Sequence, residues 1–95
     1  MSWMVYSLGN RYSWLGPIDL YMHVETMLSS YNYKLKHIEN YGGSFFDYFT
    51  TTEEYEKEVR EAIDTALDDE FLDREIEGEL IVLKRVFKGG RVIMG

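Results

Sequence analysis

The sequence predicts one α+β domain over residues 1-95: a ferredoxin-like βαββαβ order with an extra C-terminal hairpin strand, its antiparallel sheet packed by two helices. Three observations lead there. The 95 residues are 45% apolar and 16% aromatic, enough for one core and too few for a second domain. Two segments repeat their apolar residues at helical spacing. Short runs of strand-favouring residues surround them, and two glycine pairs suit tight hairpins.

Ser2 to Leu8 is apolar on both alternating faces, as in a strand covered on both sides. Gly9-Asn10 interrupts it, and the stretch to Gly16 reads as a loop carrying Tyr12 and Trp14. From Pro17, a residue suited to the first helical position, Leu20, Tyr21, Val24, Met27, Leu28 and Tyr31 form an apolar stripe, with Asp19, His23 and Glu25 on the polar side. Tyr33 to Asn40 reads as a strand, Tyr41-Gly42-Gly43-Ser44 as a turn and Phe45 to Thr50 as the returning strand.

Thr51 with Glu54 has capping-box spacing, opening a second helix in which Tyr55, Val59, Ala62, Ile63, Ala66 and Leu67 share one face. After a connector with Phe71, Leu72 and Ile76, Glu79 to Phe87 reads as a strand. Gly89-Gly90 then turns the chain into Arg91 to Met94.

Charge divides the chain unevenly. Thirteen of its seventeen carboxylates lie between Glu53 and Glu79 against only Lys57, Arg60 and Arg74, leaving that segment at −10 while the other residues carry +3. Such one-signed fields bear on partners and association rates rather than on fold. On the second helix Glu53, Glu54, Glu58, Glu61, Asp64 and Asp68 take the face opposite the apolar stripe. Glu53 with Lys57 and Glu56 with Arg60 offer favourable i, i+4 pairs, but Glu54 with Glu58 and Asp64 with Asp68 repel at that spacing. Asp68, Asp69 and Glu70 also sit at the helix end that prefers cations.

Motifs for chemistry are sparse, so no enzyme is expected. With no cysteine there is neither a disulfide nor a thiolate ligand, and His23 and His37 are too far apart for a metal-binding pair. Asp68 to Asp73 fails as a calcium loop because Asp73 stands at the sixth position, where glycine is needed. Neither glycine pair is followed by the Lys-Ser/Thr of a phosphate loop. No cofactor and no metal are therefore expected. Met1-Ser2-Trp3-Met4 lacks the features of a signal peptide and no run approaches 18 apolar residues, so a soluble cytoplasmic protein, with no membrane contact, is expected.

With Gly43-Ser44-Phe45-Phe46-Asp47-Tyr48-Phe49 in the place of its third strand, the chain resembles the RNA-recognition-motif family, which implies base stacking on those aromatics. It departs from that family where Gly42 replaces a basic residue, where Asp47 opposes phosphate and in its net charge of −7. Direct nucleic-acid binding is not expected.

The function expected is instead that of a non-catalytic, acidic inhibitor engaging a basic nucleic-acid-binding protein. Carboxylates repeating along an exposed helix imitate a phosphate backbone, with Glu54, Glu58, Glu61, Asp64, Asp68 and Asp69 as contacts and Tyr12 and Trp14 as aromatic anchors. In general character the chain is similar to phage-encoded anti-defence proteins, including anti-CRISPR proteins and DNA mimics; that resemblance implies action in the cytoplasm of a host cell. The competing expectation is a small-ligand or nucleotide-sequestering domain, with aromatics and Arg85, Lys88 or Arg91 holding an anion near the C-terminal hairpin. A homodimer through the edge of the last strand is equally open.

Overall fold

The computed structural model describes residues 2–38, 44–45 and 48–95. Within them the chain forms β1 (Ser2–Ser7), β2 (Ser13–Pro17), α1 (Ile18–Ser29), β3 (Ser44–Phe45), β4 (Tyr48–Thr50), α2 (Glu53–Leu67), α3 (Arg74–Lys88) and β5 (Val92–Met94). The class is α+β, as expected. With β2 set aside the succession is βαββαβ, its second helical slot filled by two helices. The sheet runs β2-β1-β5-β4-β3 with every neighbouring pair antiparallel.

One sheet face meets the helices. Val5, Trp14, Val92 and Met94 are buried there with Tyr21, Val24 and Leu28 of α1, Tyr55, Val59 and Ile63 of α2, and Leu80, Leu83 and Phe87 of α3. Trp3 and Phe49 pack against that cluster. Alternation sends Met4, Tyr6, Leu15, Tyr48 and Ile93 to the opposite face, and none of them is buried; Leu15 is 70% exposed. Strand β1 is therefore covered on one side, not both.

Several expectations require correction. The stretch after Gly9-Asn10 is not all loop: from Ser13 it pairs with β1, because Trp14 points into the core while its neighbours do not. Its last residue, Pro17, is the N-cap of α1 rather than its first residue. No strand forms over 33–38; Asn32 accepts the Lys34 N–H through its side chain, its carbonyl accepts the Leu35 N–H, and Leu35 and Ile38 are buried at a spacing of three. The expected turn at 41–43, with Glu39, Asn40, Phe46 and Asp47, lies outside the described residues.

The second helix is capped by Thr52, whose hydroxyl accepts the Tyr55 N–H, rather than by Thr51. Most consequentially, the expected strand 79–87 is the body of α3. Ile76, Leu80, Leu83 and Phe87 recur at three and four residues and give the helix an inward stripe, and Asp73 caps it by accepting the Glu75 N–H. Gly89-Gly90 ends that helix instead of turning a hairpin, with Gly90 and Arg91 both at positive φ. The strand that follows is central: β5 pairs with β1 on one side and β4 on the other, so neither of its edges is open to a second copy.

Buried polar groups hold β5 and its turn. Glu56, on the first turn of α2, accepts the Val92 N–H at 3.0 Å, the Arg91 N–H at 3.3 Å and the Thr51 hydroxyl at 2.5 Å. Its expected partner Arg60 donates to the Phe87 carbonyl at 2.9 Å, and Asn10 donates to the Arg85 carbonyl, so side chains from elsewhere satisfy two C-terminal carbonyls of α3. The hydroxyl of Ser7 donates to the Gly90 carbonyl at 2.7 Å. Gly9 lies so close to this turn that a Cβ would stand 2.0 Å from the Gly89 carbonyl oxygen.

Candidate functional site

The acidic segment folds into two surfaces that its sequence does not separate. Along α2, Glu54, Glu61, Asp64 and Asp68 are exposed, and Asp64 meets Lys84 of α3 at 3.0 Å. Glu58 is buried beside Val59, so it is not part of the outward face. At the end where α2 leaves and α3 begins, Asp68, Glu70, Asp73, Glu75 and Glu77 are all exposed. The last three lie at the α3 N-terminus, where the helix dipole favours them; Asp68 caps the α2 C-terminus, where it does not.

Phe71 stands among these acids, 87% exposed. Asp69 fixes the chain beside it: one carboxylate oxygen accepts the Phe71 N–H at 2.9 Å, the other the Tyr31 hydroxyl at 2.7 Å. The Tyr31 hydroxyl bond and then the Phe71 amide hold the Asp69 carboxyl below the usual carboxylate range, while the same carboxylate pushes Tyr31 up. Asp69 thus orders the connector. The aromatic anchors placed by sequence separate: Tyr12 is exposed, whereas Trp14 is 2% exposed in the core, its indole N–H on Glu79.

A second concavity lies at the other end of α3. Thr51, Glu53, Lys57, Arg60, Lys88 and Arg91 surround an open basin of about 700 Å³, with Gly89-Gly90 as part of its rim. The expected anion ligands Lys88 and Arg91 are there. Arg85 is not among its lining residues, and Lys57 and Arg60 of α2 join instead.

The third feature was not legible in the sequence. Glu25, expected on the polar face of α1, is 4% exposed, and accepts the Tyr55 hydroxyl at 2.5 Å and the Ile38 N–H at 3.2 Å on one oxygen. Its other oxygen lies 3.4 Å from His37 Nε2. Because Tyr55 gives its proton to Glu25, Tyr21 is the donor in the 2.7 Å contact between the two hydroxyls. Burial first and the Glu25 charge second push the Tyr21 hydroxyl up; burial, Tyr21 and Glu25 do the same to Tyr55. Glu25, Tyr21 and His37 border a cavity of about 110 Å³ completed by Trp3, Phe49 and aliphatic side chains. The only sequence signal was the i, i+4 spacing of Tyr21 and Glu25.

No family model matches this chain, and neither a curated protein nor a solved structure matches it. None of the helices is long and apolar enough to cross a membrane, among the described residues.

Proposed function

We propose that this protein is a non-catalytic inhibitor, which docks the acidic end formed by the α2–α3 connector into a basic groove of a nucleic-acid-binding protein and excludes nucleic acid from it. One observation carries this reading: Phe71 is held out at 87% exposure with Asp68, Glu70, Asp73 and Glu75 near it in the chain. An aromatic side chain left in water within a chain segment where acids outnumber Arg74, its one base, offers an apolar contact with charged neighbours, the make-up of a small binding surface. The carboxylates steer encounter and the ring supplies the desolvated contact, since rim charges act mainly on association rate. Glu54, Glu61 and Asp64 extend the negative field along α2.

Capture from host lysate at two salt concentrations, with competing duplex DNA, tests it. The captured partner should be a nucleic-acid-binding protein displaced by DNA. Phe71→Ala should weaken capture at least tenfold through faster dissociation, and Glu70→Lys with Glu75→Lys should slow association and flatten its salt dependence. Capture indifferent to all three changes would refute the reading.

A second reading rests on the cationic basin. Lys57, Arg60, Lys88 and Arg91 outnumber Glu53 and Glu56 around one concavity in a chain of net charge −7, a local excess of positive charge suited to a phosphate-bearing small molecule. It requires a nucleotide to raise the melting temperature and Arg91→Glu to abolish the rise.

A further inference from the structure

Helix α3 buries Leu80, Leu83, Val86 and Phe87 and leaves its other side bare. On that side Arg74, Gly78, Ile81 and Arg85 recur at four, three and four residues, the seam spacing of paired helices. Ile81 is 46% exposed, and Val82 beside it 41%. Arg74, Glu77, Gly78 and Ile81 line one open concavity of about 410 Å³ on this surface. Packing within the chain gives no reason for Gly78, since an added Cβ would meet nothing within 4 Å and glycine destabilises a helix interior relative to alanine. What glycine does supply is room for a close approach from outside.

Charge selects what approaches. A net charge of −7 makes most of this surface repel a second copy, yet four of the chain's ten bases lie on α3. Arg74 apart, the signs along the helix are sorted: Glu75 and Glu77 occupy its first turn, and Lys84, Arg85 and Lys88 its C-terminal end. A second α3 running antiparallel therefore sets acids against bases at both ends of the contact, with the two helix dipoles opposed. A parallel copy would set Glu77 on Glu77 and Arg85 on Arg85, which is repulsive. The same residues fix the register. With a two-fold axis between Gly78 and Ile81, Ile81 of each copy seats over Gly78 of the other, and Glu77 faces Lys84 and Arg85 of the second copy.

We infer that this protein associates with itself through α3, as an antiparallel two-fold helix pair in which Ile81 of each copy fills the concavity at Gly78 of the other. A helix of 15 residues is only about 22 Å long, so the contact is small and reversible, with Kd on the order of 10 µM. The connector around Phe71 precedes α3 and lies outside this seam, so association and the docking of the acidic end succeed or fail separately.

Sedimentation equilibrium of the 11.3 kDa chain from about 1 µM to about 300 µM reads the association. The wild-type chain should pass from monomer to dimer across that range. Ile81→Lys, at an exposed position, should weaken association at least tenfold. Gly78→Gln should weaken it comparably while raising the melting temperature of the monomer, because the side chain fills the seat but favours the helix. Glu77→Lys or Arg85→Glu alone sets like charges face to face and should weaken association about tenfold, whereas an equimolar mixture of the two variants restores opposite signs and should recover most of it. A chain that stays monomeric throughout would leave this face to a different protein and overturn the inference. So would dimers indifferent to Ile81→Lys or Gly78→Gln, as a pair formed through the outer sheet face would be, or mixed charge variants that associate no more tightly than each alone.

Discussion

Replacing Glu56 should damage this fold more than any other single carboxylate change in the acidic segment. The wild-type carboxylate accepts from the buried Val92 N–H, the Arg91 N–H and the Thr51 hydroxyl. In Glu56→Ala the Thr51 hydroxyl retains the Val92 carbonyl at 2.8 Å, and the exposed Arg91 can turn its amide to water. The Val92 N–H has no such recourse. A hydrogen bond to a charged acceptor contributes about 1.5–3 kcal/mol, and an abandoned buried donor costs about 1–3 kcal/mol. These overlap, so the loss should be about 2–4 kcal/mol, a large part of the ~5–15 kcal/mol that holds a domain folded. Glu56→Gln keeps one acceptor oxygen and should lose roughly half as much. Urea denaturation at pH 7 measures both, and amide exchange at Val92 reports the site directly. A Glu56→Ala loss under about 0.5 kcal/mol, or unchanged protection of Val92, would refute the account of how α2 secures the central strand.

Two further outcomes follow from buried tyrosines and from glycines. Tyr21 and Tyr55 both titrate above the ordinary tyrosine value of 10.0, so the unfolded chain releases two protons that the folded chain retains once pH exceeds that value. Their contribution is therefore complete below pH 10 and declines above it, at about 2.7 kcal/mol per pH unit for the pair. Tyr31, raised by Asp69, adds to the measured slope, so Tyr21→Phe should flatten it without abolishing it in urea midpoints taken from pH 9 to 11.5; an unchanged slope would contradict the burial of the Tyr21 hydroxyl. Gly9→Ala should cost ~1–3 kcal/mol by forcing the β1–β2 loop from the Gly89 carbonyl, whereas Gly78→Ala, with nothing within 4 Å in the middle of α3, should stabilise by ~0.5–1 kcal/mol. A thermal melt of Gly9→Ala that does not fall would show that the close approach at Gly9 is absent, and one of Gly78→Ala that falls would contradict the open space at Gly78.

The helices α1 and α2 were legible because their apolar residues keep a 3.6 period and each starts near a recognisable signal. Helix α3 was not, because Leu80-Ile81-Val82-Leu83 forms a continuous apolar run that reads as a buried strand. Only the structure shows Ile81 and Val82 turned toward solvent while Leu80 and Leu83 go inward. The signal that could have corrected it was Asp73, with Glu75 and Glu77 in the following turn. Strand β2 was hidden by its composition, since Gly16 and Pro17 punctuate a segment whose single buried side chain is Trp14.

Of the acidic face, Glu54, Glu61, Asp64 and Asp68 lie where helical periodicity puts them. Glu58 does not, and neither does Glu25 on the polar face of α1; Glu56 shares the i, i+3, i+7 spacing of Val59 and Ile63 but was read as the partner of Arg60. For Glu25 and Glu56 the partners are far away in the chain: Tyr55 lies 30 residues from Glu25, and Val92 lies 36 from Glu56. Phe71 was visible as part of a connector, but its exposure depends on how Asp69 ties the connector back to Tyr31.

The placement of β5 also sets an order of events for folding. Strands β1 and β2 meet across a five-residue loop, and β3 and β4 are neighbours in sequence, so each pair can zip early and alone. Nothing joins one pair to the other until Val92–Met94 enters between them, closing contacts such as Val5 with Met94 across nearly the whole sequence. That closure carries the entropy of a long loop and comes late. Until it occurs the hairpins present unpaired edges to one another and to other chains, and Glu56, waiting on α2, is the receptor that captures the arriving strand.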